Sequence, residues 1–354
     1  MITSKAYLGR VIFIWVFLAS VCLSAAELPF GAPTALQAAG TLVDVSIALS
    51  NDTVGTTADL TLSFKLLGEQ LPPGATVQIA FPPEFDKAAI DSVAYLDSDE
   101  GNEDYQVLTW EAANDIVTIE LDTLGTPAGE DAQLSITMFG IGNAETVNSY
   151  RLALAVLDSL DSWLAVPVWT PQFSLKPGPV ADFTLDPSGI ISVNAGDLVH
   201  FTVSAEDAFG NVVTLSAGLI QWNLVQSPPG AQPVVEGRFE AKIAGSYRLQ
   251  AVYGLFTEQC IIYVLPGPIS QLRMTGGSSG ALAGIPWSDS QNDVTVSAHD
   301  IFGNLITDFE GEVYFTCTDS EADLPATSGA PFTFALDDQG KRIFDGSSFT
   351  FYTA

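Results

Sequence analysis

A chain of 354 residues carries 42 Asp and Glu against 12 Lys and Arg, a formal net charge of −30 at pH 7. Such an excess of acid argues against nucleic acid, whose affinity rests on Lys and Arg neutralising phosphates, and equally against an anionic membrane surface. Three cysteines over this length exclude a disulfide scaffold, so each folded unit must cohere through its own apolar core.

Residues 1–26 read as a signal peptide. Lys5 and Arg10 supply the positive start, Val11 to Leu23 the apolar run, and Ser24-Ala25-Ala26 the small residues before Glu27. The run is too short to favour a retained membrane span. Cys22 follows Val21 rather than a small residue, which sets a lipid anchor aside. No second long apolar segment follows, so no transmembrane segment is expected after cleavage. The expected address is extracellular, secreted or at the cell surface. Residues 27–40 form a spacer of small residues and proline.

Residues 41–176 alternate with a period of two in Ala58–Lys65, Thr76–Pro82, Ile116–Leu121 and Gln133–Met138, the pattern of half-buried strands. Leu71-Pro72-Pro73-Gly74 is a turn between the first pair, and the region is expected to be a β-sandwich. Between its strands lies Asp97-Ser98-Asp99-Glu100-Gly101-Asn102-Glu103-Asp104. Here Asp97, Asp99, Asn102 and Asp104 make a candidate calcium site, the only cofactor the chain suggests. Gly101 stands where an EF-hand expects its fifth ligand, and a solvated acidic loop is the competing reading.

Two Pro-Gly-Pro joints, Pro177-Gly178-Pro179 and Pro266-Gly267-Pro268, then set off residues 177–265 and 266–354. Two prolines fix φ and cannot donate ladder bonds, so pairing stops at each joint. After each joint the same phrase recurs: Ala205-Glu206-Asp207-Ala208-Phe209-Gly210-Asn211 returns as Ala298-His299-Asp300-Ile301-Phe302-Gly303-Asn304. A phrase repeated at one spacing marks a copied folding unit. Phe-Gly-Asn suits a turn, because glycine accepts positive φ and asparagine tolerates it. Asp207 and Asp300 are placed to accept backbone N–H bonds within that turn; a shared calcium ligand is the alternative. Asp197–Ala205, Leu219–Val225, Ser246–Val252 and Gln259–Leu265 are predicted strands. Trp222 aligns with Phe315 as an inward aromatic plug. Cys317 alternates with Val313 and Phe315, which predicts a buried thiol. Phe239–Gly245 matches Phe349–Ala354, so the last repeat is expected to be C-terminally incomplete, with an unpaired apolar edge.

The phrases Val203–Asn211 and Thr295–Asn304 resemble the bacterial immunoglobulin-like repeats of cell-surface proteins, the group that includes invasin and intimin stalks. Asp308–Thr316, Ala322–Pro325 and Phe332–Phe334 add to the likeness. Leu71–Gly74 with Val77–Pro82 is similar to the sandwich that often precedes such arrays. The resemblance implies an all-β chain of tandem immunoglobulin-like β-sandwich domains behind a signal peptide. It also implies a structural or adhesive stalk without catalysis, whose partners are host-cell, matrix or glycan surfaces or other cell-surface proteins.

The residues themselves offer no catalytic constellation. The two histidines, His200 and His299, occupy different repeat positions, and no phosphate-cradling loop or nucleophile elbow is present. An accessory region of a larger secreted enzyme, or a carbohydrate-binding module, is the alternative. The latter needs exposed, coplanar aromatics, for which Trp110, Trp163, Trp169 and Trp287 are the candidates.

Overall fold

The computed structural model describes residues 29–30, 40–97, 107–122, 132–277, 280–287 and 292–353. Within them the protein is all-β, and its helical turns span three residues each. The chain divides between Lys176 and Pro177 into two units.

Among the described residues of the first unit, β-branched and aromatic residues alternating with polar ones give eleven strands. They are β1 (Thr41–Leu49), β2 (Thr57–Leu67), β3 (Thr76–Ala80), β4 (Ser92–Asp97), β5 (Val107–Ala113), β6 (Ile116–Leu121), β7 (Gln133–Gly142), β8 (Ser149–Tyr150), β9 (Ala153–Leu157), β10 (Val168–Trp169) and β11 (Phe173–Ser174). Two sheets, ordered β1-β2-β7-β4 and β10-β9-β3-β6-β5, enclose one core. Leu60, Leu62, Phe64, Leu134 and Ile136 enter it from one sheet, and Val77, Ile79, Val117 and Ile119 from the other. This is a two-layer sandwich. The Leu71–Gly74 turn carries the chain from one sheet to the other rather than closing a hairpin. Gly74 there holds φ +74 and donates its N–H to Asp122 O at 3.1 Å. β9 is buried along its whole length, because Phe30 and Trp163 cover its second face.

The second unit begins with β12 (Asp182–Asp186), β13 (Gly189–Asn194), β14 (Leu198–His200), β15 (Thr202–Glu206), β16 (Gln221–Gln226), β17 (Arg238–Glu240), β18 (Gly245–Tyr253) and β19 (Phe256–Leu265). A four-stranded sheet β13-β19-β18-β16 and the pairs β12-β15 and β14-β17 surround a core of Phe183, Leu185, Phe239, Tyr247, Leu249, Ile262 and their neighbours. Asp197–Ala205 is not one strand, as its alternation predicts. The backbone breaks at buried Phe201, whose N–H turns to Gly237 O at 2.7 Å, and the two halves join different sheets. Gly237, at φ +75, allows that approach; a Cβ there would overlap the Phe201 carbonyl.

The rest of the unit holds β20 (Ile269–Gly276), β21 (Val294–Asp300), β22 (Glu312–Val313), β23 (Phe332–Thr333) and β24 (Lys341–Phe344). They form the sheet β20-β21-β24 and the pair β22-β23. A separate core gathers Val294, Val296, Val313, Phe334, Phe344 and Phe349. Phenylalanine edges fill it: Phe315 meets Phe344 at 5.0 Å and Phe349 at 5.1 Å between ring centres, both nearly perpendicular. Cys317 corrects its prediction, because the thiol is exposed. The strand ends at Val313, Phe315 N–H turns to Ala326 O, and the alternation that would bury Cys317 stops before reaching it.

Candidate functional site

The repeated phrase builds the same hydrogen-bonded turn twice, and each turn grips the Pro-Gly-Pro joint ahead of it. β15 ends at Glu206, and the Asp207 carboxylate beyond it accepts the N–H groups of Phe209 (2.9 Å), Asn211 (2.9 Å) and Gly178 (2.8 Å). The Asn211 amide also donates to it, at 3.0 Å to Oδ2. In the second copy Asp300 accepts from Phe302 (2.9 Å), Asn304 (2.8 Å) and Gly267 (2.8 Å), with the Asn304 amide at 2.8 Å. Gly210 and Gly303 hold φ +80 and +87, the left-handed backbone that the turn requires.

Electrostatics follow from this geometry. Burial alone would raise the Asp207 pKa, but the N–H donors of Gly178, Asn211 and Phe209 outweigh it and lower the group from 3.8 to about 2. Asp300 shifts in the same direction, its burial outweighed by Asn304, Gly267 and Phe302. Both oxygens of each carboxylate accept from N–H donors, so these aspartates brace the turn.

Asn304 adds a contact that sequence reasoning missed. Its side chain donates to Lys242 O at 2.8 Å and accepts from Ala244 N–H at 2.8 Å, two bonds to the preceding repeat. Phe302 lies beside Gly196 of that repeat, where an added Cβ would stand 3.3 Å from the ring. The signal was an asparagine after the glycine in both copies. What hid the joint contact was unequal spacing: Gly178 lies 29 residues from Asp207, and Gly267 lies 33 from Asp300.

The other candidates fall elsewhere. Asp97 closes β4, and Asp99, Asn102 and Asp104 lie outside the described residues. Among the described residues no three His, Cys, Asp or Glu side chains gather as a metal site. His200 belongs to β14, whereas His299 belongs to β21 and bonds to Gly303 of the second turn. Its Nδ1 is 3.0 Å from Gly303 O, an acceptor only, so Nδ1 donates there, and Nε2 is hydrogen-bonded to the Ser297 hydroxyl at 2.8 Å. Trp110 and Trp163 pack against apolar clusters of the first unit, and Trp287 meets Phe349 and Phe351 edge-on; Trp169 is exposed in β10. Trp222 is a half-buried neighbour of its repeat's core, and Phe315 has the same place in the other.

No protein-family model matches the sequence, and no curated protein matches it. Among solved structures, the N-terminal domain of a Streptococcus gordonii adhesin is 14% identical over 38% of this chain and 32% of its own, with a TM-score of 0.27. The B domain of a biofilm-associated protein is 9% identical over 40% of this chain and 45% of its own, at 0.26. An S-layer protein, SbsC, is 11% identical over 87% of this chain and 51% of its own, at 0.22. These neighbours are β-rich surface proteins, and matches so distant carry no argument about what this chain binds. No helix among the described residues is long and apolar enough to cross a membrane.

Proposed function

We propose that the chain is a secreted or cell-surface spacer of tandem immunoglobulin-like β-sandwich domains, one that holds an adhesive or structural surface at a distance and performs no catalysis. Its partners in this reading are host-cell, matrix or glycan surfaces, or other surface proteins. The observation that carries it is the doubly tied joint between the last two repeats. Pro266-Gly267-Pro268 restricts the backbone, Asp300 takes the Gly267 N–H, and Asn304 binds Lys242 and Ala244. A flexible tether needs none of these bonds; a spacer that keeps its length does.

Spin labels on Cys317 and on a cysteine introduced at Leu255 test it, since both positions are exposed and lie in different repeats. The expected distance distribution is narrow, and it broadens when Pro266 and Pro268 are replaced by Ser together with Asn304→Ala. A distribution equally broad before and after those changes removes the basis for a stiff spacer.

A further inference from the structure

The four-stranded sheet β13-β19-β18-β16 buries one side in its repeat's core and turns the other outward. Its register puts polar side chains in rows on the outward side. Asn223 stands opposite Gln250, and Gln250 opposite Gln259, a row of three amides across three strands. Neighbours in such a row lie one strand spacing apart, about 4.8 Å. In the next row Gln226 pairs with Arg248, Arg248 with Ile261, and Ile261 with Ile190. Tyr263 comes one row further, between Ser246 and Ser192. Tyr263 is 45% and Ile190 67% exposed.

Charge sets this face apart. In a chain with 42 acidic residues, none of the outward strand positions of this sheet is acidic. The single acid in the four strands, Glu258, pairs with buried Ala251 and so belongs to the other side. The strands packed across the core, β12, β15 and β17, instead expose Asp182, Glu206 and Glu240. Among the described residues, the side chains of Asn223, Gln226, Gln250, Gln259 and Arg248 make no hydrogen bond or ion pair within the protein. Each amide therefore keeps a donor and an acceptor for a ligand, and the guanidinium keeps its donors.

The same features select the occupant. A polyanion is repelled by the net charge of −30, and a polycation finds no carboxylate on this face. A protein partner is anchored by apolar or aromatic groups at the centre of its contact, where this face presents amides. Sugar hydroxyls both donate and accept, as free amides do, and the C–H side of a pyranose ring fits an exposed tyrosine, apolar in its body and polar at its tip. We propose that this face binds an uncharged polysaccharide, with Asn223, Gln250 and Gln259 bonding to its hydroxyls, Arg248 donating beside them and Tyr263 carrying a sugar ring. The proposal rests on the surface-protein reading above and narrows its partners to one class.

Native electrophoresis of the full chain through gels containing mannan, xylan, dextran or a mixed-linkage β-glucan tests this, with alginate as the polyanion. The expected result is retardation in at least one of the neutral gels. Asn223→Ala, Gln250→Ala and Gln259→Ala together are expected to weaken binding at least about tenfold, the loss of two or three ordinary hydrogen bonds. Gln232→Ala, at an exposed amide outside the sheet, should leave it unchanged. A denaturation midpoint equal to the parent's shows the triple variant folded, and Tyr263→Ala, which removes only the ring, is expected to weaken binding independently. No retardation in any neutral gel overturns the proposal, as does retardation that the folded triple variant and Tyr263→Ala both retain. Retardation by alginate alone overturns an uncharged ligand. Dimerisation that the triple variant abolishes, without retardation, assigns the face to a second copy and overturns the proposal. A narrow spin-label distribution without retardation leaves the spacer reading standing and this one fallen.

Discussion

The last two repeats share a turn and differ in how their cores are closed. Residues 177–265 fill theirs with the inward side chains of a four-stranded sheet, Tyr247, Leu249 and Ala251 facing Cys260, Ile262 and Val264. Residues 266–353 have a three-stranded sheet and a two-residue pair, and draw their cohesion from phenylalanines packed edge to face. Yet the Asp300 turn reproduces the Asp207 turn to within about a tenth of an ångström in its backbone bonds. The turn and joint are therefore set by the hydrogen bonds that each aspartate gathers, and the core around them varies without disturbing these.

Substitutions on either side test that contrast. Phe183→Ala should cost about 3–5 kcal/mol by emptying a closed core, measured as a lowered denaturation midpoint of the first repeat. Asp207→Ala and Asp300→Ala should each cost about 2–3 kcal/mol, because three backbone N–H groups lose their acceptor. Similar losses at the two sites in chemical denaturation would confirm that the turns are equivalent; a loss at one alone would separate them. Acid should act through the same groups. A carboxylate lowered to about 2 from 3.8 stabilises fully above its unfolded value, and that contribution fades as pH falls through about 2. Unfolding of the second unit should therefore steepen between about pH 4 and pH 2, and Asp207→Asn should flatten the slope. Asn304→Ala should cost about 1 kcal/mol, seen as faster hydrogen exchange at the Ala244 amide. Smallest of all, Leu272→Ala should stay within about 0.5 kcal/mol, since its side chain is largely in water already. A loss there as large as at Phe183 would mean that β20 is covered in solution.

Much of this was legible in the residues. Alternation in Ala58–Lys65 and Gln133–Met138 located β2 and β7, because one buried face forces a period of two. The recurrence of Asp207 at Asp300, each followed by Phe-Gly-Asn, marks the brace in the sequence itself. Three features were not legible. The break at Phe201 depends on Gly237, which is distant in sequence and exposes no local pattern. The exposure of Cys317 depends on a strand that stops at Val313, although its alternation runs on. The reach of Asn304 to Lys242 and Ala244 is tertiary, and an asparagine in a turn announces only the turn.

That reach has a consequence for how such a chain melts. Because one amide side chain satisfies a carbonyl and an N–H of the preceding module, order in either module is a boundary condition for the other. The stabilities of the two are then coupled through that contact. Heat that loosens one of the two would then loosen the other.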